Sequence, residues 1–110
     1  MAPIILSIKK RSEFLDVRNS KSCIIGKHLI INYKSNKLAK TFRVGLTVSK
    51  KVGKAVVRNY IKRIIRSAII RNYDKIPLKY DFEIIPKKNF NNIKFQSLEK
   101  DLLNIIKKIE

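Results

Sequence analysis

Residues 43–71 read R-V-G-L-T-V-S-K-K-V-G-K-A-V-V-R-N-Y-I-K-R-I-I-R-S-A-I-I-R, and the fold turns on how they are read. Residues 43–49 alternate like a strand, Lys50-Lys51-Val52-Gly53 makes a corner, and residues 54–71 carry helical spacing. In the helical half Arg58, Asn59, Lys62, Arg63 and Arg66 fall at i, i+1, i+4, i+5 and i+8. At about 100° per residue they share an arc of roughly 140°. Val57, Tyr60, Ile61, Ile64, Ile65 and Ala68 take the opposite side, so the pattern predicts one face for burial and one dense cationic and amide face.

Working outward, the strand extends over 41–49. Val44, Leu46 and Val48 form its apolar face; Arg43, Gly45, Thr47 and Ser49 form a polar, small face left open. Upstream, residues 28–34 read as a strand with Leu29, Ile31 and Tyr33 on one side, and residues 23–25 as a brief extended piece. A polar turn at 35–40 joins the two strands. Lys9-Lys10-Arg11 leads into a short helix with Ser12 as N-cap, Glu13 in the first turn, and Phe14, Leu15 and Val17 as apolar contacts. Residues 1–8 read as a loose, flexible arm. Downstream, Pro77 stops the long helix, and residues 79–85 alternate with Tyr80, Phe82 and Ile84 inward and Asp81 and Glu83 outward. Residues 94–108 repeat Phe95, Leu98, Leu102, Ile105, Ile106 and Ile109 as a helical stripe. The expected architecture is an α+β sandwich over 1–110 as one domain: a mixed four-stranded sheet with helices on a face.

Charge narrows the partner. The net charge is +18, and all eight acids lie outside 17–73, a stretch that holds 15 of the 26 Lys and Arg residues. Such self-repulsion is relieved by a polyanion, with nucleic acid first and an anionic membrane surface second. A face kept only for solubility would mix its signs. Cys23 and His28 are each alone, which removes a disulfide framework and a zinc cluster. No apolar run approaches the ~20 residues of a membrane span, so a cytoplasmic protein is the default.

Catalysis by the chain finds no footing. Nucleophilic catalysis needs a partnered base, and His28 is the sole histidine. Asp81 and Glu83 could flank a divalent ion, but a pair offsetting nearby lysines is the stronger reading, so no metal site and no catalytic residue are assigned. Binding is better served. Arginine forks suit phosphate, Asn59 adds a donor and an acceptor for a 2′-OH or base edge, and Lys50, Lys51 and Lys54 flank a helix N-terminus whose free N–H groups favour phosphate.

Residues 43–66 resemble the signature of the bacterial ribonuclease P protein subunit, a V-G-x-S/T-V-S-K-K-x-G-x-A strand and corner followed by an R-N-x-x-K-R-x-x-R helix. The match runs through Val44, Gly45, Thr47, Val48, Ser49, Lys50, Lys51, Gly53, Ala55, Arg58, Asn59, Lys62, Arg63 and Arg66. Weaker similarity extends over nearly the whole chain, with Ile8 to Phe14 resembling the family's opening helix and residues 80–88 its last strand and following turn. The resemblance implies an αβββαβα order, a fold like the second domain of ribosomal protein S5, with a left-handed βαβ crossover. It implies two partners, the ribonuclease P RNA and precursor tRNA, in a 1:1 ribonucleoprotein. In that assembly the RNA, with Mg²⁺ bound mainly to it, hydrolyses the bond at the mature tRNA 5′ end. Carried over, Lys50, Lys51, Lys54, Arg58, Asn59, Lys62, Arg63 and Arg66 face RNA, while Phe14, Arg18, Asn32 and Thr47 line a cleft for the 5′ leader.

Two positions depart from the pattern. Arg18 stands where the family usually has a second aromatic, and Asn32 where an aromatic commonly faces the cleft. Either charge and hydrogen bonds replace part of the base stacking, or a one-residue register shift brings Tyr33 to the cleft. Two other readings of the same surface stand beside this one. A structural RNA binder of ribosomal-protein type would leave precursor-tRNA cleavage unchanged. A membrane-surface or nucleoid-packaging protein would prefer anionic vesicles or duplex DNA.

Overall fold

In the computed structural model, residues 5–38, 40–88 and 93–109 are described. Alternation places apolar side chains on one face of each long strand. The strands are β1 (Leu6–Ser7), β2 (Cys23–Ile25), β3 (Leu29–Ser35), β4 (Arg43–Leu46) and β5 (Tyr80–Pro86). They form one mixed five-stranded sheet in the order β1-β4-β5-β3-β2. β4 and β5 run parallel and adjacent, joined by α2 (Ala55–Arg71), whereas β3 pairs antiparallel with both β2 and β5. The other α-helices are α1 (Arg11–Asn19) and α3 (Phe95–Ile109).

The sheet is sandwiched. On one face Leu29, Ile31, Val44, Phe82 and Ile84 pack against Ile61, Ile65, Ala68 and Ile69 of α2 and Leu98, Leu102, Ile105 and Ile106 of α3. α1 lies against β3 and β5 on the other face, where its side chains meet Arg43, Gly45 and Glu83. Two polar ties lock α3 down. The buried Asp101 carboxylate accepts backbone N–H bonds from Lys27, His28 and Leu29 at 2.8, 2.8 and 3.0 Å. Asn72, at the C-terminus of α2, donates to Glu99 at 2.8 Å. Gly26 leaves room for the first tie, since a Cβ there would stand 2.7 Å from an Asp101 oxygen.

Several expectations change. The sheet has five strands rather than four, because Leu6–Ser7 pairs parallel with Arg43–Val44 and Ile8 is buried beside it. The arm read over 1–8 is therefore held in its second half, while residues 1–4 lie outside the described residues. Lys10, not Ser12, is the N-cap of α1; its N–H donates to the Glu13 carboxylate at 3.3 Å. β4 ends at Leu46 instead of running over 41–49. Val57 and Tyr60 are exposed, so the buried stripe of α2 is Ile61, Ile65, Ala68 and Ile69. Asp81 and Glu83 do not face solvent; α1 covers their side of the sheet and both are buried. Among the described residues, no helix is long and apolar enough to cross a membrane.

Candidate nucleic-acid interface

The corner and the long helix present the cations. Ser49 accepts the Lys51 N–H at 3.2 Å and so closes the short turn Lys50–Val52, after which Lys54, in extended backbone, caps α2. Lys50, Lys51, Lys54, Asn59, Arg63 and Arg66 are exposed, and Arg58 and Lys62 are half-buried. The Arg58 Nε is buried with no hydrogen-bond partner among the described residues. An unmet buried donor costs about 1–3 kcal/mol, which an acceptor from a bound molecule would offset.

The face of the sheet under α1 holds a second group. Strand register sets Asn32 and Gly45 on either side of Glu83. α1 then lays Phe14 over Gly45 and Arg18 over Glu83. A Cβ on Gly45 would stand 2.3 Å from the Phe14 ring, so glycine is what lets the ring seat there. Glu83 is fully buried, and both oxygens are taken: Arg18 Nε and Nη2 donate at 2.8 and 2.6 Å, Asn32 Nδ2 at 3.1 Å and Thr47 Oγ1 at 2.7 Å. Beside it Asp81 receives a fork from Arg43 at 2.9 and 2.7 Å, and Arg43 reaches Glu13 at 2.6 Å.

These contacts set the electrostatics. Burial alone would push the Glu83 carboxyl up, yet the Arg18, Thr47 and Asn32 donors override it and hold the group below the ordinary carboxylate range. Asp81 is likewise held low, by Arg43 and Asn36 against the effect of burial. The direct charged partners of these acids are arginines, while the lysine expectation holds only through the charge of Lys34 near Asp81. Among the described residues no cluster of three or more His, Cys, Asp or Glu side chains could hold a metal ion.

Two grooves join the groups. One, of about 400 Å³, is lined by Lys9, Arg11, Phe14, Leu15, Arg18 and Thr47. The other, of about 270 Å³, crosses the β1 edge and reaches from Lys9 and Phe14 to Lys62 and Arg66. Phe14, Arg18 and Thr47 thus share a groove, whereas Asn32 contributes beneath it through Glu83. The ungapped register holds: Asn32 is on the α1 side, and Tyr33 turns to the core face, edge-on to Tyr80 at 6.1 Å. Sequence reading missed Glu83 as the hub and Lys9 as a groove residue. Acids at alternate strand positions in a strongly basic chain were the available signal for Glu83.

Comparison with known proteins agrees with this layout. The sequence profile of the family described as Ribonuclease P matches residues 5–110. The chain is similar to the ribonuclease P protein component of Streptococcus gordonii, 40% identical over 100 residues that cover 91% of this chain and 82% of the relative. The corresponding protein of Fusobacterium nucleatum is 39% identical over 105 residues, covering 92% and 94%. The solved RNase P protein of Staphylococcus aureus superposes with a TM-score of 0.86 at 27% identity, covering 97% of both chains. That of Thermotoga maritima gives 0.85 at 29% identity, covering 94% of this chain and 97% of its own. With profile, relatives and architecture in agreement over nearly its full length, the chain belongs to the ribonuclease P protein family, the protein component of the endoribonuclease that processes tRNA 5′ ends.

Proposed function

We propose that the cationic face of α2, with the Lys50, Lys51 and Lys54 corner, docks on the ribonuclease P RNA, and that the groove beside α1 takes the 5′ leader of precursor tRNA. The observation that carries this reading is continuity: Lys9 and Phe14 line both grooves, so a strand over α1 and an RNA along α2 would be neighbours across the β1 edge. Arg58, Arg63 and Arg66 suit phosphate forks, and Asn59 suits a 2′-OH or base edge. Phe14 offers a ring face to a leader base. Thr47, whose hydroxyl donates to Glu83, can still accept a bond from the strand. Bond breaking belongs to the RNA partner, where Mg²⁺ would supply charge stabilisation and an activated water. The protein's share is to hold the leader beside the ribozyme, in a 1:1 ribonucleoprotein of the cytoplasm with no membrane role. The parallel β4–α2–β5 connection is the one we take to be the left-handed crossover of an S5-domain-2-like fold.

The test is reconstitution with the cognate RNA at low Mg²⁺, using precursor tRNAs with and without a leader. The chain should tighten substrate binding only when the leader is present. Arg66→Ala should weaken binding to the RNA while the thermal melt by circular dichroism stays in place. Cleavage by the chain alone, freed of nucleic acid, would overturn the division of labour. An unchanged cleavage rate on addition of the chain would favour a merely structural RNA binder.

A further inference from the structure

Glu83 has no part in the reading above beyond its bonds, yet it stands where a carboxylate is hardest to keep, fully buried on the middle strand of the sheet. Buried ion pairs are weak supports of stability, and a packed apolar side chain of similar size often serves a fold as well or better. What the carboxylate does is immobilise Arg18. The Nε edge of the guanidinium closes side-on against Oε1 and Oε2, while Asn32 and Thr47 occupy the remaining acceptor positions. A guanidinium carries five N–H donors. The side-on fork uses the Nε edge and leaves the outer edge, Nη1 with the second hydrogen of Nη2, without a partner among the described residues. That side chain is 45% exposed and lines the groove with Phe14, which lies one helical turn before it.

Two parallel donors held in a fixed plane match two adjacent acceptors. Phosphate oxygens offer such a pair, and so do O6 and N7 of guanine. The carboxylate decides between them. Arg18 is already neutralised by Glu83, so the pair brings no net charge to draw a phosphate, while its outer hydrogen-bonding edge stays intact and oriented. Phe14 supplies a face for the same base to stack on.

We infer that Arg18 and Glu83 make the groove a guanine-reading subsite. O6 and N7 of one unpaired guanine lie on the outer edge of Arg18, and Glu83 is the positioning residue that aims it. This rests on the groove taking the 5′ leader. The experiment uses the holoenzyme reconstituted from the full chain and its cognate RNA, with precursor tRNAs carrying guanine, 7-deazaguanine or adenine at each leader position in turn. At one position guanine should bind about tenfold more tightly than either substitute. Arg18→Lys keeps the charge without the fork, and Glu83→Gln keeps the shape without the paired acceptors; each should flatten that preference, in KM rather than by a general loss across leaders. Should Glu83→Gln fail to fold, Arg18→Lys, at a part-exposed position, decides alone. Wild-type holoenzyme indifferent to guanine everywhere, or a preference that survives Arg18→Lys, overturns the subsite. So does an Arg18→Ala variant that weakens all leaders equally and lowers the salt slope by about one, since that marks a phosphate contact. If leader-bearing and leaderless precursors bind alike, the groove reading itself fails; leader-dependent binding with no guanine preference sinks the subsite only.

Discussion

Asp81 and Glu83 tie the stability of the domain to pH. Both carboxyls are held below their ordinary values in the folded chain, burial opposing and the arginine and amide donors prevailing. In the unfolded chain they return to about 4. A group depressed by folding contributes stability that is fully present above its unfolded value and is lost as pH falls through its folded value. Urea midpoints should therefore be level above about pH 5 and decline below it. Rising positive charge would add to the decline in a chain of net charge +18, so Asp81→Asn is the control: its acid decline should be shallower, from a lower starting stability. Midpoints that rise on acidification would mean the carboxyls are held neutral. The alternation of residues 80–84 made it legible that Asp81 and Glu83 share a face opposite Phe82. It could not tell that α1 covers that face, because a period of two assigns sides without saying what lies on either. The same gap hid Arg18 and Asn32 as partners of one carboxylate, although each was already marked as a departure from an aromatic.

α2 shows how far a helical period carries. Its span was legible to within a residue, but the cationic arc is not free of burial, since Arg58 and Lys62 are half-buried and buried Ile69 falls between them on the wheel. Its buried stripe was legible only in part: Ile61, Ile65 and Ala68 are buried as expected, but Val57 and Tyr60 are 43% and 55% exposed, and burial in α2 begins only at Ile61. Apolar spacing marks the side of a helix, not the length over which a neighbour covers it. Ile61→Ala should cost about 2–5 kcal/mol in chemical denaturation, whereas Tyr60→Ala should stay within about 0.5 kcal/mol. Equal losses in the two variants would put the first turns of the helix in the core after all. β1 lay beyond sequence reading for a plainer reason: a two-residue strand has no period, and its pairing with Arg43 and Val44 is visible only in space.

Folding pairs part of the charge internally and leaves the cations of α2 and its corner without acidic partners among the described residues, Arg71 apart. Of the 15 bases between residues 17 and 73, Arg18, Arg43 and Arg71 are paired with acids that lie outside that stretch. Arg58, Lys62, Arg63 and Arg66 and the corner lysines are in no ion pair among the described residues, which keeps them for a polyanion. If about five phosphates are neutralised, log K for the ribonuclease P RNA should fall against log salt with a slope near −3.5 to −4.5. The pairing makes the prediction sharper than composition alone allows. Arg66→Ala should reduce the slope by about one, because a phosphate contact releases its counterion. Arg43→Ala should leave it unchanged, because its charge is already cancelled by Asp81 and Glu13. Filter-binding isotherms over a series of salt concentrations separate the two. A slope near zero in the wild type would remove the electrostatic account of binding, and equal reductions in the two variants would mean that the internal pairs open when RNA docks.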